Sequence, residues 1–215
     1  MTTEIATAPE GVIETPRKTL KQKMRGFTLI ELGIVLTIVA ILALFAIPRV
    51  QGYLISGRVQ PTASETAAAV GQLRSLAAAN SAATTQPYLA ASGLTMLHFA
   101  TALRDRSNAL IPKVGTTAAT SSVIHRLGAT GSSITFAEAE VTSTGDAFTL
   151  SFPTVNGAAC ADFAAALQVQ ARAVTISASG GAAVTVKAAG GQYDSQLAQT
   201  TCATGDVNTL VFTFQ

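Results

Sequence analysis

Apolar and polar positions divide the chain into zones with different periodicities. The first zone, residues 27–47, reads FTLIELGIVLTIVAILALFAI and contains one charged residue, Glu31. At about 1.5 Å per residue, a helix of this length spans roughly 31 Å, the thickness of a bilayer's hydrocarbon core. Its many β-branched residues do not argue against a helix, because in lipid the backbone must satisfy its own hydrogen bonds. The pattern therefore predicts a membrane helix.

A second helical zone follows, and prolines mark where it changes. Pro48 ends the apolar run and predicts a kink, because proline removes a helical hydrogen bond. Gly52, Gly57 and Pro61 then weaken the helix in quick succession. We therefore expect bends at Pro48 and Pro61, with the stretch between 52 and 61 as the weakest part of the helix.

After these breakers, the helical pattern resumes up to about residue 83. Thr62 with Glu65 three residues later fits a capping box, which predicts a helix start at Thr62. Apolar residues then recur at helical intervals, at Ala63, Ala67, Val70, Leu73 and Leu76. The zone therefore predicts an amphipathic helix whose apolar face packs on the rest of the protein.

The remainder of the chain alternates in the manner of β-strands. Short helices are predicted at 95–106 and 158–170, and a loop at 113–122. Candidate strands cover 134–141, 147–154, 172–177, 183–188 and 209–214, with Gly-containing turns such as Gly180-Gly181 and Gly190-Gly191 between them. An antiparallel sheet packed on the N-terminal helix follows, which is an α+β fold.

Charge is concentrated before the apolar run. Of 215 residues, 48% are hydrophobic and 12% charged, enough to bury one sizeable core. Beyond residue 26 nine basic and nine acidic residues cancel, so overall charge does not indicate nucleic-acid binding. Five basic residues immediately before the apolar run hold that end in the cytoplasm and place the bulk of the chain outside. They are Arg17, Lys18, Lys21, Lys23 and Arg25.

The candidate cleavage site at Gly26 lies before the apolar run and not after it. An ordinary secretory signal carries its small-residue cleavage site after the apolar run, whereas Gly26 precedes it. Cutting between Gly26 and Phe27 would remove the basic leader and leave the hydrophobic helix with a new amino group. Glu31 lies one helical turn further on, where a carboxylate costs several kcal/mol unless it is relieved, so it is a functional candidate.

Gly26 followed by FTLIE resembles the class III signal of type IV pilins and their pseudopilin relatives. The resemblance implies that a prepilin peptidase cleaves after Gly26 and methylates the amine of Phe27. It also implies that Glu31 pairs with the Phe27 amine of a neighbouring subunit and sets the register of assembly. The implied division is a leader at 1–26, a long bent helix at 27–83 and a globular head at 84–215.

Two cysteines, Cys160 and Cys202, lie in the last third of the chain. No partner residues stand at metal-ligand spacing, so we expect no metal site. An exported chain favours an oxidised pair, and a cytosolic one favours two free thiols. The resemblance implies the C-terminal disulfide of pilins, which bounds an exposed region.

The implied function is that of a structural subunit of a type IV pilus, without a cofactor or catalytic residues. The precursor would lie in the inner membrane, with its leader cytoplasmic and its head periplasmic, and the assembled pilus would be extracellular. Its partners would be identical subunits, the prepilin peptidase and the inner-membrane assembly platform. A pilus of this kind serves adhesion, motility, conjugation or DNA uptake. The 26-residue leader, the 189-residue mature chain and the separated cysteines resemble the type IVb group, whereas Phe27 is more usual in type IVa pilins.

Several other functions stay open at this stage. A pseudopilin of a type II secretion system or a minor pilin would share the same signal, and a plain signal anchor would leave Glu31 near the interface. An enzyme would need bases such as His98 or His125, but no nucleophile elbow, metal-binding helix or phosphate-cradling loop flanks them. A fibre that binds DNA or a host surface would need a basic patch, for which the candidates are Arg104, Arg106, Lys113 and Arg126.

Overall fold

The computed structural model describes most of the chain beyond the basic leader, namely residues 28–80, 86–88, 93–105, 108–128 and 130–215. The predicted leader and cleavage site, Gly26 and Phe27, lie outside the described residues, as does the predicted helix end at 81–83. The chain divides into two units, the first ending at Leu42 and the second running from Ala43 to Gln215. Each unit is described by itself.

Five helices and eight strands follow one another along the described part of the chain. The helices are α1 (Leu29–Ser56), α2 (Val59–Asn80), α3 (Met96–Leu103), α4 (Gly157–Leu167) and α5 (Ser195–Thr201). The strands are β1 (Ile111–Lys113), β2 (Ser122–His125), β3 (Ser132–Ser133), β4 (Thr135–Glu140), β5 (Thr144–Asn156), β6 (Ala173–Ala178), β7 (Val184–Lys187) and β8 (Asp206–Phe214). A long apolar helix followed by an antiparallel sheet confirms the predicted α+β fold.

The two long helices are separated by a turn at Gly57 and Arg58. The N–H of Arg58 donates to the carbonyl of Ile55, three residues earlier, at 3.0 Å. This spacing is that of a 3₁₀ turn, which is tighter than the four-residue spacing of an α-helix, and α1 ends here. Helix α1 continues through position 48, and Pro61 lies in the first turn of α2, where a missing N–H costs little. The kinks at Pro48 and Pro61 stay predictions.

The predicted capping box at Thr62 is wrong. Because α2 already begins at Val59, the N–H of Thr62 donates to the carbonyl of Arg58 at 3.1 Å and needs no cap. The carboxylate of Glu65 instead accepts the backbone N–H groups of residues 108–110, at distances from 2.7 to 3.1 Å. Glu65 thus fastens the connection between α3 and β1 to α2.

The strands of the described residues form two antiparallel sheets. The larger sheet has the order β4-β5-β8-β6-β7, which corresponds to the five predicted strands. The smaller sheet, with the order β1-β2-β3, was not predicted, although the expected loop does lie between β1 and β2. Every pairing in both sheets is antiparallel.

The C-terminal strand β8 occupies the centre of the larger sheet. It pairs with β5 on one side and with β6 on the other, and its alternate residues Asn208, Leu210, Phe212 and Phe214 are fully buried. Helices α2 and α4 supply the other side of this core, to which Val70, Leu73 and Phe163 contribute. On α2 only Leu76 departs from the predicted inward face, since its side chain is 43% exposed.

Turn chemistry fixes two hairpins of the larger sheet. At the start of β5, Gly145 has a positive φ, and the Asp146 carboxylate accepts hydrogen bonds from the backbone N–H groups of residues 141–143. Partial desolvation raises the pKa of Asp146, but bonds from the Thr142 hydroxyl and these amides outweigh it and hold that pKa well below its ordinary value. Between β6 and β7, Ser179 and Gly180 both have positive φ, as a tight hairpin turn requires.

The second glycine pair, Gly190-Gly191, does not form the hairpin that the sequence predicts. The N–H of Gly191 closes a turn on the carbonyl of Ala188 at 2.9 Å, but the chain then enters α5 rather than a strand. Asp194 caps this helix by accepting the N–H of Leu197 at 2.9 Å. A capped seven-residue helix therefore replaces the strand expected after a glycine turn.

A matched pair of glycines tests how tightly the start of α4 is packed. A Cβ on Gly157 would lie 2.4 Å from the carbonyl oxygen of Ala203, whereas a Cβ on Gly71 in α2 would meet nothing within 4 Å. We expect Gly157→Ala to lower the free energy of unfolding by about 2 kcal/mol through overpacking. Gly71→Ala should raise it by up to about 1 kcal/mol through helix propensity. Urea unfolding of the full-length protein in detergent micelles measures both, and equal effects would contradict the close contact.

Candidate assembly segment

Helix α1 exposes apolar side chains around its whole circumference over residues 29–42. The exposed fraction is 91% for Leu29 and 74% for Ile30, and it stays near one half or more at the other large apolar residues. A helix that is apolar on every face is normally buried in a membrane or among other helices. Among the described residues, the segment containing α1 is the one helix long and apolar enough, by length and composition, to cross a membrane.

The polar groups inside this apolar segment are, with one exception, satisfied by the helix itself. The hydroxyl of Thr28 accepts the N–H of Glu31 at 3.3 Å, and the hydroxyl of Thr37 donates to the carbonyl of Gly33 at 2.8 Å. Within the described ranges, no hydrogen bond or ion pair reaches the Glu31 carboxylate. The structure thus leaves a single charged group on an otherwise apolar surface, one turn from the helix start.

The C-terminal part of α1 belongs to the second unit and packs against α4. The hydroxyl of Ser56 donates to the carbonyl of Ala158 at 3.1 Å, and Ile55 is 6% exposed. On the opposite side, Tyr53 and Leu54 remain 80% and 59% exposed. The helix therefore changes along its length from exposure on every face to burial of one face.

The predicted disulfide is confirmed. Cys160 lies in α4, Cys202 follows α5, and their Cα atoms are 6.0 Å apart. The buried side chain of Asn208 secures the segment after Cys202. It donates to the carbonyls of Val155 and Ala203 at 3.0 and 2.8 Å, and it accepts the N–H of Ala203 at 2.8 Å. The crosslink and this amide together hold the chain between α5 and β8 against β5.

Asn208 is a structural residue that sequence reasoning missed. It stands in register with the inward-facing Leu210, Phe212 and Phe214 of β8, so the alternation marks its position as buried. A buried amide needs hydrogen-bond partners, and in a strand these must come from a neighbouring loop. That combination is the signal that could have identified it.

Both histidines considered as possible bases have local structural roles. Nδ1 of His98 accepts the backbone N–H of Thr95 at 3.2 Å and completes a capping box at the start of α3. Nδ1 of His125 accepts the N–H of Leu127 at 3.3 Å, and its ring is fully buried. Among the described residues, no group of three or more His, Cys, Asp or Glu side chains could hold a metal ion.

Three of the four residues of the predicted basic patch, Arg104, Lys113 and Arg126, lie among the described residues. Arg106 lies outside the described residues. Arg126 contributes its backbone carbonyl, which accepts Nη1 of Arg58 at 3.2 Å, and Arg104 directly follows α3. None of these contacts tests DNA or host-surface binding, which stays a prediction.

Comparisons with known proteins match both ends of the chain. A family described as the prokaryotic N-terminal methylation motif matches residues 21–47, and a family described as PilS N terminal matches residues 88–215. Two curated proteins from Dichelobacter nodosus, both named type IV major fimbrial protein FimA, are 47% identical over 55 residues. The match covers 26% of this chain and 33% of each relative, so the chain spans about a third of the length of these relatives.

Proposed function

This chain belongs to the PilS family and is a type IV pilin, and from this premise we propose that it is the repeating structural subunit of a pilus. The observation that carries the proposal is the segment 29–42 of α1, which is apolar on every face and bears one carboxylate, that of Glu31, with no partner among the described residues. Lipid covers such a surface in the precursor, and helices of other copies cover it in a fibre. The matched relatives are named major fimbrial proteins, which supports a structural subunit rather than an enzyme.

In the precursor, residues 27–47 cross the inner membrane with the basic leader in the cytoplasm. The head, residues 84–215, then lies in the periplasm, where an oxidising environment suits the Cys160–Cys202 bond. A prepilin peptidase cuts after Gly26 and methylates the amine of Phe27. Because the cut precedes the apolar run, the mature protein keeps its anchor.

Assembly moves the helix from lipid into a bundle of identical helices at the platform. Both surroundings are apolar, so the transfer itself involves little hydrophobic free energy. Electrostatic pairing can then decide where a subunit docks, since an unpaired charge in an apolar environment costs several kcal/mol. The Glu31 carboxylate of one subunit pairs with the Phe27 amine of its neighbour, which neutralises both charges and sets the axial register.

The relatives that match are named major fimbrial proteins, which supports a role as the main subunit rather than as a minor pilin or pseudopilin. A main subunit should dominate the protein sheared from the cell surface. A minor pilin should be nearly absent from that material, and a secretion pseudopilin should remain with the cell envelope.

N-terminal sequencing and intact mass of sheared fibres test the maturation steps. We expect a chain that begins at methylated Phe27 and whose mass is two hydrogens short of the fully reduced form. The same sample treated with a thiol reductant is the control, and it should regain the two hydrogens. Extracellular protein that begins downstream of Ile47, or that retains Met1, would contradict the proposal.

A further inference from the structure

His125 lies where the small sheet meets the large one. It ends β2, the middle strand of the small sheet, and its ring contacts the ring of Phe152 in β5 at a centroid distance of 5.5 Å. Since Nδ1 accepts the N–H of Leu127, the proton of the neutral ring is on Nε2. Nε2 is buried and has no hydrogen-bond partner among the described residues. The structure therefore favours the neutral imidazole. A second proton would have to bind Nδ1, where it would displace the Leu127 N–H.

Among the residues that the structure describes, no charged side chain forms a hydrogen bond with the His125 ring. Across the described ranges, the hydrogen bond of ordinary geometry that reaches the imidazole comes from the Leu127 backbone, and the Pro153 backbone supplies a weaker one. The charged and titratable groups around β2 are Arg126 directly after it, Arg58 on the helix side, whose Nη1 donates to the Arg126 carbonyl, His98 on α3, Lys113 on β1, Asp146 on β5 and Asp206 on β8. Of these, Arg58, Lys113 and Arg126 are cationic and would oppose a positive charge on the ring.

We propose that protonation of His125 in acid releases the three-stranded sheet from the five-stranded sheet and remodels this face of the head. A charged imidazole must reach water, and the ring is shielded by the contact between β2 and β5. Water reaches it when that contact opens. This pH-dependent opening involves only residues of one subunit and does not require assembly into a fibre.

The direction of the pH effect follows from linkage. Burial lowers the pKa of His125 from 6.5 to about 4, and the backbone of Pro153 offsets part of this shift. A group with a lowered pKa in the closed state binds protons more readily in the open state, so closure is favoured above pH 6.5 and weakens as the pH falls towards 4. With these two values, the ratio of open to closed forms rises about 100-fold between pH 7 and pH 4.

The small sheet is the part expected to open. Its strands have three, four and two residues, whereas β5 and β8 of the large sheet have thirteen and nine. The large sheet is also secured by the Cys160–Cys202 crosslink beside β8. Strands with few inter-strand hydrogen bonds open at a lower free energy than a central strand does. The small sheet is therefore expected to open and expose the charged imidazole to water, while the large sheet stays closed.

Hydrogen exchange followed by mass spectrometry tests the switch in the full-length protein in detergent micelles. After correction for intrinsic rates, protection of residues 111–125 should fall about 100-fold between pH 7 and pH 4, while protection of 206–214 is retained. His125→Phe removes the titrating group. His125→Asn removes it as well and keeps an acceptor for the Leu127 N–H, so the two variants perturb the packing in different ways.

Both His125 variants should lose the pH dependence at 111–125. His98→Gln is the matched control, because glutamine also completes a capping box at this position, and it should behave as the unmodified protein does. Three results would overturn the inference. They are full protection of 111–125 at pH 4, an acid response that survives in both variants, and simultaneous opening of 111–125 and 206–214.

Discussion

Replacing Glu31 with alanine is expected to abolish fibres while leaving the precursor inserted in the membrane and cleaved. The Glu31 carboxylate is the one charged group on the apolar surface of residues 29–42, and no described residue pairs with it. Without it, the Phe27 amine of the adjoining subunit would enter an apolar bundle unpaired. A penalty of about 3 kcal/mol lowers each docking equilibrium constant more than about 100-fold, and the loss recurs at every subunit.

The chain offers a close control for this substitution. Thr37→Val also removes a polar atom from the apolar segment, but the Thr37 hydroxyl is already bonded to the Gly33 carbonyl within the helix. We expect this variant to form normal fibres. Yields of sheared fibre, with immunoblots of the membrane fraction for precursor and mature forms, measure both outcomes. Normal piliation of Glu31→Ala would refute the docking role of the carboxylate.

Loss of the disulfide is expected to lower the free energy of unfolding of the head by about 4 kcal/mol. The bond closes a loop between positions 42 residues apart, and the entropy of that loop is restored to the unfolded chain when the bond is absent. Cys160→Ala combined with Cys202→Ser is the suitable variant. Alanine is chosen at position 160 because that site is fully buried, and the hydroxyl of a serine there would lose its contact with water. Urea unfolding in detergent micelles supplies the measurement.

Chemical reduction of the unmodified protein serves as the control for the cysteine substitutions. If the crosslink is responsible, the reduced protein and the double variant should lose similar stability. A decrease below about 1 kcal/mol in both would show that packing and the Asn208 hydrogen bonds hold this region without the bond.

The sequence predicted elements whose pattern is periodic over many residues. The strands of the large sheet were recognised because burial of one face imposes an alternation along each of them, and the apolar helix was recognised because its apolar run is long and uninterrupted. Strands β1 to β3 were missed because two to four residues are too few for alternation to be visible. Helix α5, with the sequence SQLAQTT, is likewise too short and too polar for a periodic signal.

Long-range contacts account for the other differences. Glu65 has the spacing of a capping residue relative to Thr62, but its carboxylate binds backbone groups 43 to 45 residues away. No local pattern contains that information. Within the candidate site, Glu31 was identified because a charge in an apolar run is costly. The buried state of His125 depends on tertiary packing against Phe152, which a single histidine in the sequence does not reveal.

The place of β8 in the sheet has a consequence for biogenesis. This strand follows β4 to β7 in sequence, yet it joins the hairpin of β4 and β5 to the hairpin of β6 and β7. The side chain of Gln215, directly after β8, also bridges the Asp146 carboxylate and the Arg172 guanidinium. The five-stranded sheet therefore cannot close until β8 has been synthesised. Chains that terminate before β8 would present two unjoined hairpins, a state that proteases can distinguish from the folded domain.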